Sequence, residues 1–114
     1  MSIEDTSVVD FVSVDERGSV ILTISDHMDW SSVDKHLLLL QEKINTYCQY
    51  IENGQIYDEY PEARDMRPMI SVVFFHDLTS KAETFYRRVT SILEAEGFGF
   101  EWKKYGIGSG KAPG

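Results

Sequence analysis

The sequence has one cysteine, Cys48, among 114 residues. No intrachain disulfide is possible, and a lone thiol fits a reducing compartment. Cys48 sits among apolar neighbours in a helical pattern, with Lys43 the only cation near it in sequence. That setting suits a small buried hydrophobe better than a reactive thiol. Positive charge is scarce as well: 19 acidic residues face 11 basic ones, for a formal charge of −8. Residues 1–80 hold 15 acids and 5 bases, whereas residues 81–114 hold 4 acids and 6 bases. An acidic body repels phosphate backbones and anionic headgroups, so neither a nucleic acid nor a membrane surface is expected as a partner. It suits a protein partner of basic surface, or it serves only to keep the chain in solution. No apolar run approaches the length of a membrane span or a signal sequence, so the expected location is cytoplasmic.

Motifs of established chemistry are missing too. There is no His-Glu-x-x-His and no second cysteine for a zinc site. There is no Gly-x-Ser-x-Gly elbow. The glycine-rich C-terminus ends in Gly110-Lys111 but is not a phosphate loop. Tyr105 stands where the first glycine belongs, Ala112 replaces the magnesium-binding hydroxyl, and no helix follows. Residues 106–114 read as a flexible tail behind a single domain spanning residues 1–105. No cofactor is implied.

What remains is the patterning of a globular chain, with 42% apolar residues. Val8–Val14 is rich in β-branched residues and predicts a strand. Asp15-Glu16-Arg17-Gly18 is a turn, and Ser19–Ser25 is a second strand with Val20, Leu22 and Ile24 on one face. A helix follows, capped by Asp29, Ser31 or Ser32. Its apolar positions Val33, Leu37, Leu40, Ile44, Tyr47 and Ile51 recur at intervals of 3 and 4. Asn53-Gly54 stops it. Gln55–Pro68 is a connector with a short helical turn at Ile56–Tyr60. Met69–Phe75 is apolar throughout, as in a central strand. The second long helix carries Ala82, Phe85, Tyr86, Val89, Ile92 and Leu93 on one stripe and ends at Gly97. Phe98, Phe100 and Trp102 alternate with polar residues in a last strand. The order β-β-α-β-α-β predicts an α+β two-layer sandwich, with about four strands and both helices on one sheet face. Strand order is not legible.

Two groups of residues invite a functional reading. Asp26, His27, Asp29 and Trp30 lie at the mouth of the first long helix, His36 lies in its first turns, and His76 ends the third strand. Carboxylates and imidazoles at this density suit metal binding or acid–base work in a small enzyme. If the second and third strands end on the same side, His27, Asp29, His76 and Asp77 converge. The plainer alternative is a helix cap, a turn residue and packed histidines. The second group is Leu37-Leu38-Leu39-Leu40. One helix face buries Leu37 and Leu40, which leaves Leu38 and Leu39 on the flanks together with Tyr50. With Tyr57 and Tyr60 of the connector they form a candidate interface, for a protein partner or for a homodimer, unless neighbouring elements cover them.

The stretches Leu22–Trp30, His36–Asn45, Ile51–Gly54 and Tyr60–Ala63 resemble those of a family of small bacterial proteins known only as a domain of unknown function. The likeness spans roughly Val9 to Trp102. It implies a bacterial, cytoplasmic, stand-alone domain, and it implies no activity and no functional residue. A non-enzymatic protein-binding or self-associating module is therefore the leading expectation, ahead of a small enzyme or metal-binding protein built on Asp26, His27 and Asp29.

Overall fold

The structure is a computed structural model that describes residues 11–15 and 17–106. Strand β1 (Phe11–Asp15) turns back into β2 (Ser19–Asp26). The Asp15 carbonyl accepts the Gly18 amide at 3.0 Å, and Gly18 takes a φ of +89°, which a side chain would strain. Helix α1 (Val33–Glu52) follows, then the short α2 (Gln55–Glu59) and a 3-10 turn at Pro61–Asp65. Strand β3 (Arg67–Phe74), helix α3 (Ser80–Ala95) and strand β4 (Gly99–Lys104) complete the fold. Residues 8–10 of the expected first strand, and the expected tail from Ile107 onward, lie outside the described residues.

The four strands form one sheet in the order β1-β2-β3-β4. The β1–β2 pair is antiparallel, whereas β2–β3 and β3–β4 are parallel. Both parallel steps move the same way across the sheet, which for crossovers of one hand puts α1 and α3 on one face. Side chains agree: the Tyr47 hydroxyl of α1 donates to the Thr23 carbonyl, and Tyr86 of α3 stacks on Phe74 and Trp102. The fold is thus the expected α+β layer pair, with the connector's expected helical turn formed as α2 and a 3-10 turn added after it.

Local chemistry sets the helix ends. Thr79 caps α3, its hydroxyl accepting the Ala82 amide at 3.1 Å. At the other end Gly97 and Phe98 donate back to the Glu94 and Leu93 carbonyls, with Gly97 at φ +91°, which is a Schellman closure. The start of α1 is weaker, because its cap residue Ser32 makes no side-chain cap bond. Asp29 is not the cap either. Its carboxylate accepts the amide and the hydroxyl of Ser31 one turn earlier.

The core lies between the sheet and α1 and α3. Val20, Leu22, Ile24, Ile70, Val72 and Phe100 supply the sheet side. The buried residues of α1 are His36, Leu40, Lys43, Ile44, Tyr47, Tyr50 and Ile51. This arc is turned relative to the expected stripe: Val33 and Leu37 are only half buried, while His36, Lys43 and Tyr50 have moved inward. Each of those three has company that offsets desolvation. His36 meets Asp26, the Lys43 ammonium lies 5.6 Å from the Tyr47 ring centre, and Tyr50 donates to Glu59. Among the described residues no helix is long and apolar enough to cross a membrane.

Candidate functional site

Strand β2 alternates inward with Val20, Leu22 and Ile24, and Asp26 continues the same phase. Its carboxylate therefore enters the core at the carboxyl end of the strand, fully enclosed. On α1, His36 lies one turn before the buried Leu40 and faces the same way. The two meet with Asp26 Oδ2 2.6 Å from His36 Nε2. The other carboxylate oxygen accepts the Met28 amide at 3.1 Å. His36 Nδ1 lies 3.0 Å from the Asp29 carbonyl oxygen, which only accepts, so Nδ1 carries a proton and donates there. Trp30 stacks on the imidazole, ring centres 3.6 Å apart and 18° from parallel. Burial pushes the Asp26 carboxyl up, against a smaller downward pull from His36.

This arrangement limits the chemistry. A general base needs a free nitrogen or oxygen facing its substrate. Both ring nitrogens of His36 are engaged by the protein itself, and both atoms of the contact with Asp26 are sealed from solvent. Their observed work is to tie the end of β2, the 27–32 loop and the first turns of α1 together.

The parallel pairing also puts the ends of β2 and β3 on one side of the sheet, with Asp26 beside Phe74. His27, Asp29, His76 and Asp77 therefore share one end of the molecule. His76 comes near enough to Asp29 and Asp77 for its charge to help lower both carboxyls, while His27 is engaged elsewhere. His27 stacks on Phe75 at 4.1 Å, and Phe75 stacks in turn on Tyr105 at 4.6 Å. Asp29 is held by Ser31, whose hydrogen bonds keep its carboxyl below the usual range. Asp77 pairs with Lys104, which lowers its carboxyl too. Among the described residues no three His, Cys, Asp or Glu side chains are grouped to hold a metal ion. Two buried donors at this end, Trp30 Nε1 and the Tyr86 hydroxyl, have no hydrogen-bond partner among the described residues.

The residues expected at an interface divide in the structure. Leu38 is 53% exposed, as expected of an outward position. Leu39, Tyr57 and Tyr60 are half buried and pack on the core. Tyr50 is a correction, since it is a core residue whose hydroxyl donates to Glu59 Oε1 at 2.7 Å. The connector folds over it as α2, which is what removes it from the surface.

Beside Leu38 the structure has a feature that the sequence reading did not assemble. A groove of about 280 Å³ runs between α1 and α3 on the outer side of the helix layer. Gln41, Ile44 and Asn45 line one wall, and Phe85, Arg88, Val89, Ile92 and Leu93 line the other. Ile92 stands 52% exposed at its lip. Five of these eight residues are apolar and one is charged, whereas 26% of the whole chain is charged. Low charge with apolar side chains at the centre of a patch is the composition of an interface core. The available signal was the α3 stripe, which has more apolar positions than a four-stranded sheet covers.

Cys48 is half buried on the flank of α1, and burial, helped by Glu52 and Glu96, pushes its thiol up to about 11. It is a poor nucleophile at neutral pH.

No curated protein and no solved structure matches the chain. A family model described as a family of unknown function, DUF6572, matches residues 1–106, and the chain belongs to that family.

Proposed function

We propose that this chain is a protein-binding module whose working surface is the outer face of α1 and α3. The observation that carries the reading is the apolar groove between the two helices, with Ile92 half exposed at its lip and Leu38 half exposed on α1 one turn before Gln41. Binding would cover these two side chains and fill the groove. Each is already half buried, so full coverage contributes roughly 1 kcal/mol apiece. Several such contacts around a groove give a modest, reversible affinity. The acidic body supports a basic rim on the partner, which would speed encounter more than it strengthens the complex. A cytoplasmic location belongs to the same proposal and is supported by the single free thiol, Cys48.

The metal or acid–base alternative draws little support from the geometry, because Asp26 and His36 are consumed by each other and the exposed His27 and His76 join no group of three ligating side chains among the described residues. The test of the binding reading is site-specific photo-crosslinking of the full chain in cells that express it. One probe replaces Ile92, and another replaces Lys103 on the opposite sheet face. An adduct of defined mass at position 92, absent at position 103 and lost on adding Leu38→Asp, is the expected result. No adduct at position 92, or equal labelling at both positions, would overturn the reading.

A further inference from the structure

This inference rests on the binding reading above and names the chemistry of its occupant. We infer that the groove takes an amphipathic helix of a partner protein, laid antiparallel to α1 and α3, with its apolar stripe in the groove and a lysine or arginine at its N-terminal end.

The walls decide between a helix and an extended segment. Both walls are α-helices, whose interior backbone groups are taken up by their own hydrogen bonds. An extended peptide laid between them would bury amides and carbonyls with no backbone to pair with, and the only uncharged polar side chains on the walls are Gln41 and Asn45. A helix satisfies its backbone internally and presents side chains alone. The spacing fits as well. Phe85, Val89 and Ile92 recur once per turn along the α3 wall, which is the period at which the ridges of a third helix interdigitate. The 16 residues of α3 span about 24 Å at 1.5 Å per residue, so an occupant of about four turns matches its length.

Charge sets the direction. Helices α1 and α3 each follow a parallel strand, so both run away from the carboxyl end of the sheet, side by side. At their first turns Lys81 Nζ reaches Asp34 Oδ1 at 2.8 Å, so that end of the groove carries a matched pair. Glu52 lies five turns of 3.6 residues after Asp34 and repeats its orientation toward α3 at the far end. Glu96 caps α3 there. Both carboxylates act on the Cys48 thiol, which places them around one point of the seam between the helices. No basic residue follows Lys43 in α1 or Arg88 in α3, and Lys43 is buried. The last turns of both helices therefore present their negative dipole ends beside Glu52 and Glu96, with no basic residue in either turn to offset them. The positive end of an incoming helix is its N-terminus, so that end is favoured at this mouth, and a lysine or arginine there adds to the match. Arg88 lines the middle of the groove, so the rest of the occupant's stripe is apolar rather than basic.

The test uses the full chain and a synthetic helical peptide of about 18 residues with leucine at i, i+4, i+7 and i+11, its binding read by fluorescence anisotropy. Three versions differ only in charge: two lysines at the N-terminal end, two glutamates there, or two lysines at the C-terminal end. The first is expected to bind at least about fivefold tighter than the other two at low salt, a margin that shrinks to about twofold in about 0.5 M salt. The margin should vanish in the double variant Glu52→Gln with Glu96→Gln, whose sites are exposed and whose thermal melt should match the wild type. Ile92→Asp should abolish binding of all three. No saturable binding of any version up to about 1 mM would overturn the inference, as would equal affinities or a preference for either of the other two versions. If no peptide binds while the position-92 probe still gives an adduct with a protein of another mass, the helical occupant fails and the binding reading stands. No peptide binding and no adduct refutes both. An adduct of twice the chain's own mass would put a second copy in the groove and overturn the inference.

Discussion

At the carboxyl end of β2 the chain encloses an aspartate and a histidine, the residue types that most often do chemistry, and leaves neither an idle atom facing solvent. On the outer face of α1 and α3 it leaves leucine, isoleucine and phenylalanine standing around an open groove. The two regions reverse the usual reading of polar residues as functional and apolar residues as structural. Availability decides the matter rather than residue type. A titratable group already paired on both sides has no capacity left for a substrate, whereas an apolar side chain still in contact with water has free energy to gain from a partner.

The comparison is broken most directly by removing one member of the buried pair. Asp26→Ala strands an imidazole in the core, and His36→Ala strands a carboxyl. Either should cost about 3–5 kcal/mol in urea unfolding, the usual loss when one side of a buried pair is deleted. The double variant Asp26→Leu with His36→Leu should cost much less than the sum of the single losses, because no charge is left behind. Single losses below about 1 kcal/mol that simply add would mean that the pair does not hold the start of α1 in place.

Two tyrosines sharpen the contrast at intermediate size. Tyr50 and Tyr86 are both buried, and the hydroxyl of each is shifted up by desolvation. Tyr50 has an acceptor, the Glu59 carboxylate, whereas Tyr86 has none among the described residues. Tyr50→Phe should therefore cost about 1.5–3 kcal/mol, as expected for a bond to a charged group, while Tyr86→Phe should be neutral or stabilising by up to about 1 kcal/mol. Thermal melts of the two variants decide it. Equal destabilisation would show that the Tyr86 hydroxyl has an acceptor of its own.

Much of this was legible in the chain itself, and the misses have specific causes. The β1–β2 hairpin, the stop of α1 at Asn53-Gly54 and the stop of α3 at Gly97 follow from turn and cap chemistry that acts locally. Strand order does not, because nothing within one strand names its neighbour. The buried pair was half visible: Asp26 extends the inward phase of Val20, Leu22 and Ile24, and His36 leads the run Leu40, Ile44 and Tyr47. Treating polar residues as outside those periodicities hid the pairing. Tyr50 was misplaced for the converse reason, since an aromatic residue off the apolar stripe seemed free until α2 folded across it. Ile92 kept the apolar phase yet stayed exposed, because the width of the sheet, and not the helix pattern, sets how much of a stripe is covered.

The smallest effects lie in the carboxylates at this one end of the molecule, and they move in opposite directions. Desolvation holds Asp26 above its ordinary value of 3.8, whereas hydrogen bonds from Ser31 and the pairing with Lys104 hold Asp29 and Asp77 below it. The native chain thus binds the Asp26 proton more tightly than the unfolded chain does. The contribution of Asp26 to stability is full below 3.8 and is lost as pH rises through its folded value. Asp29 and Asp77 contribute above 3.8 and lose that contribution as pH falls through their lowered values. Carboxyl carbon shifts followed by NMR should separate the three, with Asp26 titrating last as pH rises. His36→Leu removes the hydrogen bond that partly offsets desolvation, so the Asp26 midpoint should climb further while Asp77 stays where it is. If Asp26 instead titrates together with Asp29 and Asp77, water reaches its carboxyl, and the end of β2 would have to be counted with the exposed, available surfaces rather than against them.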